Sequence, residues 1–484
     1  MKKIIILLCI SFSFCCCDSF LDVNPDSEVI NGDMFNSADG VEDALYGVYM
    51  TMVTKDMYGR LMSNMIPEIL GQNFVSTYSY LPYLGRLEYD RSETRGMYKS
   101  IWKTGYLTIS YLNNIIENLE GKSEKDFRYY DLYMGETLGL RAAIHFDLLR
   151  FFAVHINSSN ESAKAKAIPY VTEYDFKVTP YSSVADVYGK IIADLEKAET
   201  LLADDETYMP ANRVGSEKGF TGARVLHFNL YAAQAMLARV YWMKGDLAKA
   251  KTYADKVIRS NKFRFANKTN LSSFMQKTIS LDETIWGLYN AEIYSDWYTQ
   301  HINRQGLGEL CDGFADIYKD AGPAPGSDYR YSAWFETYEK SGVSRDICVK
   351  MMGRVSDTTS TTTSYGGGPY LGTSMVRIPE MYYIMAEALL DEGDVTGATW
   401  YLDTVLSARG MVKFENRTPA VEITLDDIMA ERRKELFGEG QWWFCLKRLN
   451  SSVRLATSSA VIPGSDKIYA LPLPTEEEDY RPNE

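Results

Sequence analysis

The 484-residue chain carries 51 Lys and Arg against 65 Asp and Glu, a formal charge of −14. An acidic balance of that size argues against nucleic acid and anionic phosphate surfaces, which are both gripped by clustered Lys and Arg. The length can bury a sizeable core, in one large or two to three ordinary domains.

The chain opens on an export signal. Lys2 and Lys3 form a positive start, and an apolar run from Ile4 to Phe14 ends at Cys15-Cys16-Cys17 before Asp18-Ser19. Roughly eleven apolar residues fall short of the ~20 that span a bilayer as a helix. Ending on cysteine predicts a lipoprotein signal over 1–16 with Cys17 as the acylated first mature residue. Cys15 and Cys16 are the neighbouring alternatives, and an ordinary cleaved secretory peptide is the competing reading. Loss of Lys2 and Lys3 leaves 49 basic against 65 acidic residues, or −16. No later segment is long and apolar enough to span a membrane, so lipid would be the only anchor.

Most of the remaining chain has helical period, and strand-like alternation is scarce. Stripes cover Trp102–Leu119 and Glu136–Phe152. After Ser183, a capping residue, Val184, Val187, Tyr188, Ile191, Ile192, Leu195, Ala198, Leu201 and Leu202 mark one helix face. Further stripes lie at Val225–Met243, Leu247–Ile258, Arg377–Leu390, Thr396–Ala408 and Leu425–Phe437. Ala238, Tyr241, Gly245-Asp246, Ala250, Ala254 and Val257 recur 148 residues later as Ala386, Leu389, Gly393-Asp394, Ala398, Leu402 and Val405. The spacing resembles a tetratricopeptide repeat, with small residues at the helix crossing and Gly-Asp at the turn. The expected fold is mainly α: a discontinuous tetratricopeptide-like scaffold, comprising 17–259 and 376–484, with a loop-rich subdomain inserted at 260–375.

Helical period is lost over 71–98 and 260–375, where Gly, Ser, Thr, Pro and aromatics accumulate. A low-complexity tract runs from Asp357 to Pro369. The first loop holds Asn73, Tyr78, Tyr80 and Tyr83. The second holds Trp286, Tyr289, Tyr294, Asp296, Trp297, Tyr298, Arg304, Tyr329, Tyr331, Trp334 and Tyr338. Aromatic rings among Asn, Asp, Arg and Ser suit sugars, because the C–H face of a pyranose stacks on a ring while polar groups bond its hydroxyls. Asn73, Tyr78, Tyr80, Tyr83, Trp286, Tyr294, Asp296, Trp297, Tyr298 and Arg304 are therefore the candidate ligand-binding residues. Trp286 reads equally well as core.

Catalytic signatures are weak. His145, His155, His227 and His301 form no zinc-type pair, and neither a phosphate-cradling loop nor a Gly-x-Ser-x-Gly elbow occurs. Cys311, Cys348 and Cys445 predict neither a disulfide framework nor a zinc site. A glycosidase would need two carboxylates ~5–9.5 Å apart, for which Glu283 and Asp296 are the candidates in aromatic company. No catalytic residue, metal ligand or cofactor is nominated, and a loop-stabilising Ca²⁺ is left open.

Several segments resemble the SusD/RagB family of outer-membrane nutrient-binding lipoproteins of Bacteroidota. These are Cys17-Asp-Ser-Phe-Leu-Asp22 with Pro25, the helix from Gly135 through Arg141 and Asp147 to Arg150, and Ile168–Glu173. Arg377–Ala388, Ala408-Arg409-Gly410, the tail Ala470–Pro474 and above all Glu431–Arg448 complete the match. Cys445 stands where the family usually has Asp. The resemblance implies a cell-surface protein that binds an oligosaccharide or polysaccharide and closes over a SusC-type TonB-dependent transporter. From the residues alone, the Arg-Glu cluster at 431–435 reads as structural. Competing readings are an envelope scaffold that binds protein partners and a lipid-anchored glycoside hydrolase.

Overall fold

The structure is a computed structural model that describes residues 34–156, 160–212, 219–268, 271, 278–318, 328–340, 342–352, 354–355, 364–365, 371–458 and 460–480. The expected leader and Cys17 lie outside the described residues, as does most of the tract at 357–369. The fold is mainly helical. Helix α1 (Ala38–Met52) starts at Ser37, whose side chain accepts from Gly40 N. Helix α2 (Ser92–Leu119) begins ten residues before the apolar stripe that predicts it, because Thr94, Met97, Tyr98 and Ile101 also face the interior. Helix α3 (Tyr130–Phe152) is buried along almost its whole length and α4 (Val184–Leu201) is capped by Ser183 as its sequence predicts.

Helices α5 (Leu230–Lys244) and α6 (Leu247–Arg259) form one hairpin. After the short helix α7 (Ile293–Trp297), helices α8 (Ile378–Asp391) and α9 (Val395–Ala408) form another. Their turns match atom for atom. Gly245 and Gly393 have φ of 88° and 82°, and Asp246 and Asp394 cap the next helix by accepting from Lys249 N and Gly397 N. Ala238, Ala250 and Ala254 in one hairpin, and Ala386, Ala398 and Leu402 in the other, are all fully buried. Each helix packs on its sequence neighbour from α1 to α6, and α6 packs on α8. The two hairpins thus lie side by side in one layer.

The final helices α10 (Leu425–Glu435) and α11 (Trp442–Arg448) close the layer and carry an internal ion network. Glu435 accepts from Arg377 at 2.7 Å and Arg409 at 2.8 Å, and Glu283 bridges the same two arginines at 2.9 Å each. Arg330 joins Asp328 to Glu431, and Glu380 accepts from Arg239 and Arg432. All these groups are buried, and their charges are tolerable only because each faces an opposite partner. Burial opposes ionisation of Glu380, but its two arginines win and hold it down to about 2. The Arg-Glu cluster is structural.

The segment at 260–375 is not loop alone. Strand β1 (Phe74–Val75) precedes it in the chain. The segment itself supplies β2 (Thr284–Tyr289), β3 (Glu309–Leu310), β4 (Phe335–Lys340) and β5 (Val343–Cys348). Strand β6 (Gly372–Arg377) pairs antiparallel with β2, and β4 with β5. Ile285, Trp286 and Leu288 of β2 join the same hydrophobic core as the helices.

Candidate functional site

The site begins where the two aromatic loops meet. Strand β1 pairs antiparallel with β3, Phe74 opposite Leu310 and Val75 opposite Glu309. Ser76 Oγ donates to Gly306 O, locking the first loop to the second. At Gly308 (φ 83°) an added Cβ would lie 2.2 Å from Val75 O, so the backbones approach this closely only with glycine there. Helix α7 then runs directly into a π-turn, Tyr298–Ile302.

The inner face of that turn is a packed pin. Trp297 is 1 % exposed, meets Phe74 edge-on at 5.8 Å, and donates Nε1 to Cys348 O at 2.8 Å. His301 donates Nδ1 to Gly308 O at 2.6 Å, while its Nε2 accepts Cys348 N at 2.9 Å. Burial pushes the imidazole down to about 4, so it stays neutral and bridges the turn to β5. Asp296 takes Arg60 in a forked pair.

Several expected ligand contacts are corrected by this packing. Trp297 has no free face. Trp286 is fully buried, with Phe228 edge-on at 4.9 Å. Asn73 is buried between Glu68, to which it donates at 2.9 Å, and Arg433, from which it accepts at 3.0 Å. Asp296 is committed to Arg60, and Tyr83 carries the guanidinium groups of Arg86 and Arg91 at 4.9 and 4.3 Å from its ring centre. The candidate acid pair is committed in the same way: Glu283 is locked between Arg377 and Arg409, and Asp296 is paired with Arg60.

The outer face is different. Tyr294 and Tyr298, one helical turn apart, are half-buried, with ring centroids 5.9 Å apart. Tyr338 on β4 borders them, and its cross-strand partner Arg345 lies 5.8 Å from its ring. Burial, then the neighbouring Tyr338, raises the Tyr294 hydroxyl above its usual value, so it remains a hydrogen-bond donor. Arg304, in left-handed backbone (φ 56°), pairs with Glu309 at 2.8 Å, and Arg345 lies 3.8 Å from the same carboxylate. Beyond β1, Tyr78 is 48 % exposed and Tyr80 is half-buried. The arrangement offers tyrosine rings for stacking beside a guanidinium–carboxylate row for hydroxyls.

Three members of this face are absent from the sequence candidates: Tyr338, Arg345 and Glu309. Tyr338 and Arg345 meet only through the β4–β5 register. The signal for that hairpin is Lys340-Ser-Gly-Val343, a glycine turn between β-branched and aromatic residues. Among the described residues, no group of three or more His, Cys, Asp and Glu side chains could hold a metal ion, and no helix is long and apolar enough to cross a membrane.

Two family models cover the chain. Residues 19–242 match one described as starch-binding and associating with the outer membrane, and residues 227–479 match that of the SusD family. A SusD-like protein, P2, of Formosa agariphila is 24 % identical, over 94 % of this chain and 93 % of its own. A SusD superfamily protein of Bacteroides thetaiotaomicron superposes with a TM-score of 0.72 at 21 % identity, covering 92 % of this chain and 98 % of its own. A SusD-like carbohydrate-binding protein of Bacteroides vulgatus does so with a TM-score of 0.68 at 19 % identity, covering 91 % and 95 %.

Proposed function

The chain belongs to the SusD/RagB family, and from that premise we propose that it is a cell-surface glycan-binding lipoprotein that captures oligosaccharide and passes it to a SusC-type TonB-dependent transporter. Its tether is an acyl chain on Cys17, after removal of 1–16. The segment 260–375 is the ligand-facing elaboration of the helical scaffold. The observation that carries the reading is the half-buried Tyr294–Tyr298–Tyr338 face beside Arg304, Glu309 and Arg345. Such a face stacks a sugar ring and hydrogen-bonds its edge, and its openness favours modest affinity.

Calorimetry against plant, host and microbial glycans tests it. Binding is expected in the micromolar to millimolar range, about −4 to −8 kcal/mol. Tyr294→Ala combined with Tyr298→Ala weakens it at least about tenfold, roughly 1.4 kcal/mol, because a few aromatic anchors dominate such surfaces. Unchanged affinity in a variant whose circular dichroism is native moves the site elsewhere. The transporter arm is tested separately: the protein is expected to co-purify with a large β-barrel from native outer membranes. Isolation as a monomer under mild detergent, with the barrel present, removes that arm.

A further inference from the structure

The tyrosine face carries more positive charge than its own carboxylate balances. Arg304 and Arg345 reach the same oxygen, Glu309 Oε1, at 2.8 and 3.8 Å. Only the first of these is a hydrogen-bonding distance. Arg345 donates Nη2 to Ile302 O, and among the described residues no hydrogen bond reaches its buried Nη1. Two guanidinium groups thus share one carboxylate, on a chain whose formal charge is −14.

Neighbouring acids do not make up the difference. Glu339 and Asp346 alternate with Tyr338 and Arg345 along β4 and β5, so they lie on the exposed side of the hairpin, where Asp346 accepts from Thr337 at 3.0 Å. Asp296 is taken by Arg60. Glu336 is on the same side as Tyr338, but the charges that act on Arg345 are Arg304, which opposes its own, and Glu309, which supports it. The Tyr294 hydroxyl responds to burial and to Tyr338 rather than to any carboxylate among the described residues. Burial, then Arg304, pulls the Arg345 guanidinium below its usual value, as expected of a cation short of counter-charge.

A guanidinium offers donors only, and its planar fork bonds an anionic oxygen pair more strongly than a hydroxyl. The Arg304 side chain is 43 % exposed, so a ligand can reach it. A neutral pyranose would stack on the tyrosines and leave the surplus charge unanswered. An acidic one meets both features at once. On the glycan reading given above, we propose that this face selects an acidic glycan, whose uronate carboxylate or sulfate ester seats on Arg304 while the sugar ring stacks on Tyr294 and Tyr298. The ligand anion takes over Arg304, and Glu309 closes on Arg345 Nη1.

Calorimetry and saturation-transfer NMR of the full-length chain with matched pairs test the proposal. The pairs are tetragalacturonate and its methyl ester, a hyaluronan tetrasaccharide and its methyl ester, and a κ-carrageenan tetrasaccharide and its desulfated form. Methyl glucuronide with methyl glucoside adds a pair that has no linkage to satisfy. The acid of at least one pair should bind at least fivefold tighter than its neutral partner, an advantage that shrinks between about 20 and 300 mM NaCl. Preference within the uronate pairs assigns a carboxylate, and preference within the carrageenan pair a sulfate. Arg304→Gln should cut the acid-to-neutral ratio below twofold. Glu309→Gln should raise it at least twofold, because the competing carboxylate is gone, whereas a role in bonding hydroxyls predicts a loss there. Tyr294→Ala with Tyr298→Ala should weaken both members of a pair alike. Equal binding within every pair that binds, a ratio unmoved by Arg304→Gln, or binding of neutral glycans alone overturns the proposal and leaves the glycan reading standing. No binding of any glycan, acidic or neutral, removes both.

Discussion

Arg432 donates to Glu380 while its Nε and Nη1 find no hydrogen-bond partner, although all three nitrogens are buried behind α11. The side chain facing it is Cys445, whose thiol burial pushes up and the guanidinium pulls back only in part. A neutral thiol is a poor acceptor for two buried N–H groups, each of which costs about 1–3 kcal/mol when unmet. Cys445→Asp places a carboxylate there, facing Arg432 and Arg448, with Glu380 the like charge nearby. The variant should be more stable by about 1–3 kcal/mol, read as a raised urea midpoint, whereas Cys445→Ala should lower it. A lowered midpoint for Cys445→Asp would mean that carboxylate desolvation outweighs the new pairs. Trp297 gives a second residue-scale test. Its ring fills the space between Phe74 and β5, so Trp297→Ala should cost about 3–5 kcal/mol in stability and act on ligand only through that loss. Why this ring reads as surface in the sequence is clear from its neighbour. A Trp beside an Asp suggests solvent, yet Asp296 is consumed by Arg60, which is 236 positions away. Spacing along the chain carries no trace of that pair. Tyr294 and Tyr298 stand out in the sequence for their polar neighbours; that they lie one helical turn apart with rings 5.9 Å from each other comes from α7, in a stretch whose sequence shows no helical period.

At the scale of elements, the helical layer was the most legible part of the molecule, since each stripe of apolar residues encodes its own buried face. The start of α2 escaped that reading because Glu93, Arg95 and Lys99 alternate with its buried residues and blur the period. Helix α3 shows little one-sidedness for the opposite reason, being covered all round. The hairpin turns were read from Gly-Asp alone, and the geometry supplies the cause: left-handed glycine ends one helix and aspartate caps the next. Nothing lies within 4 Å of a Cβ added at Gly245 or Gly393. Gly245→Ala and Gly393→Ala should therefore each cost only the backbone penalty of a left-handed alanine, about 1–2 kcal/mol, with unfolding cooperativity unchanged. A cost of several kcal/mol in either would show a hidden contact at that turn. The β4–β5 hairpin lies at the other extreme. Its pairing brings Tyr338 to Arg345, and register of that kind follows from the fold rather than from local pattern.

At the scale of the whole molecule, three of the four histidines act as neutral parts distributed along the chain. In α3, His145 donates Nδ1 to Arg141 O at 2.9 Å and accepts Val171 N at 3.0 Å with Nε2, tying that helix to the chain at Val171. His301 does the same between the π-turn and β5. Burial lowers His145 to about 3 and His301 to about 4, and burial together with Lys447 and Arg448 lowers His155 to about 3. An unfolded histidine titrates near 6.5. Below that pH the unfolded chain takes up protons that the native state refuses, so stability is full above about 6.5 and falls as pH drops through the window to about 4 for His301 and about 3 for His145 and His155. For His301 alone the depression from its ordinary value to about 4 corresponds to ~3 kcal/mol as an upper figure. Acid should thus destabilise this protein well before its ordinary carboxylates protonate. Thermal melts at pH 7.5, 6, 5 and 4 should show a progressive fall in Tm. Replacing His301 by Gln, which can supply one donor and one acceptor without titrating, should flatten part of that fall while costing stability at neutral pH. A Tm that stays level from pH 7.5 to 4.5 would show that these rings titrate as they do in water, and that the two tyings are looser than their hydrogen bonds indicate.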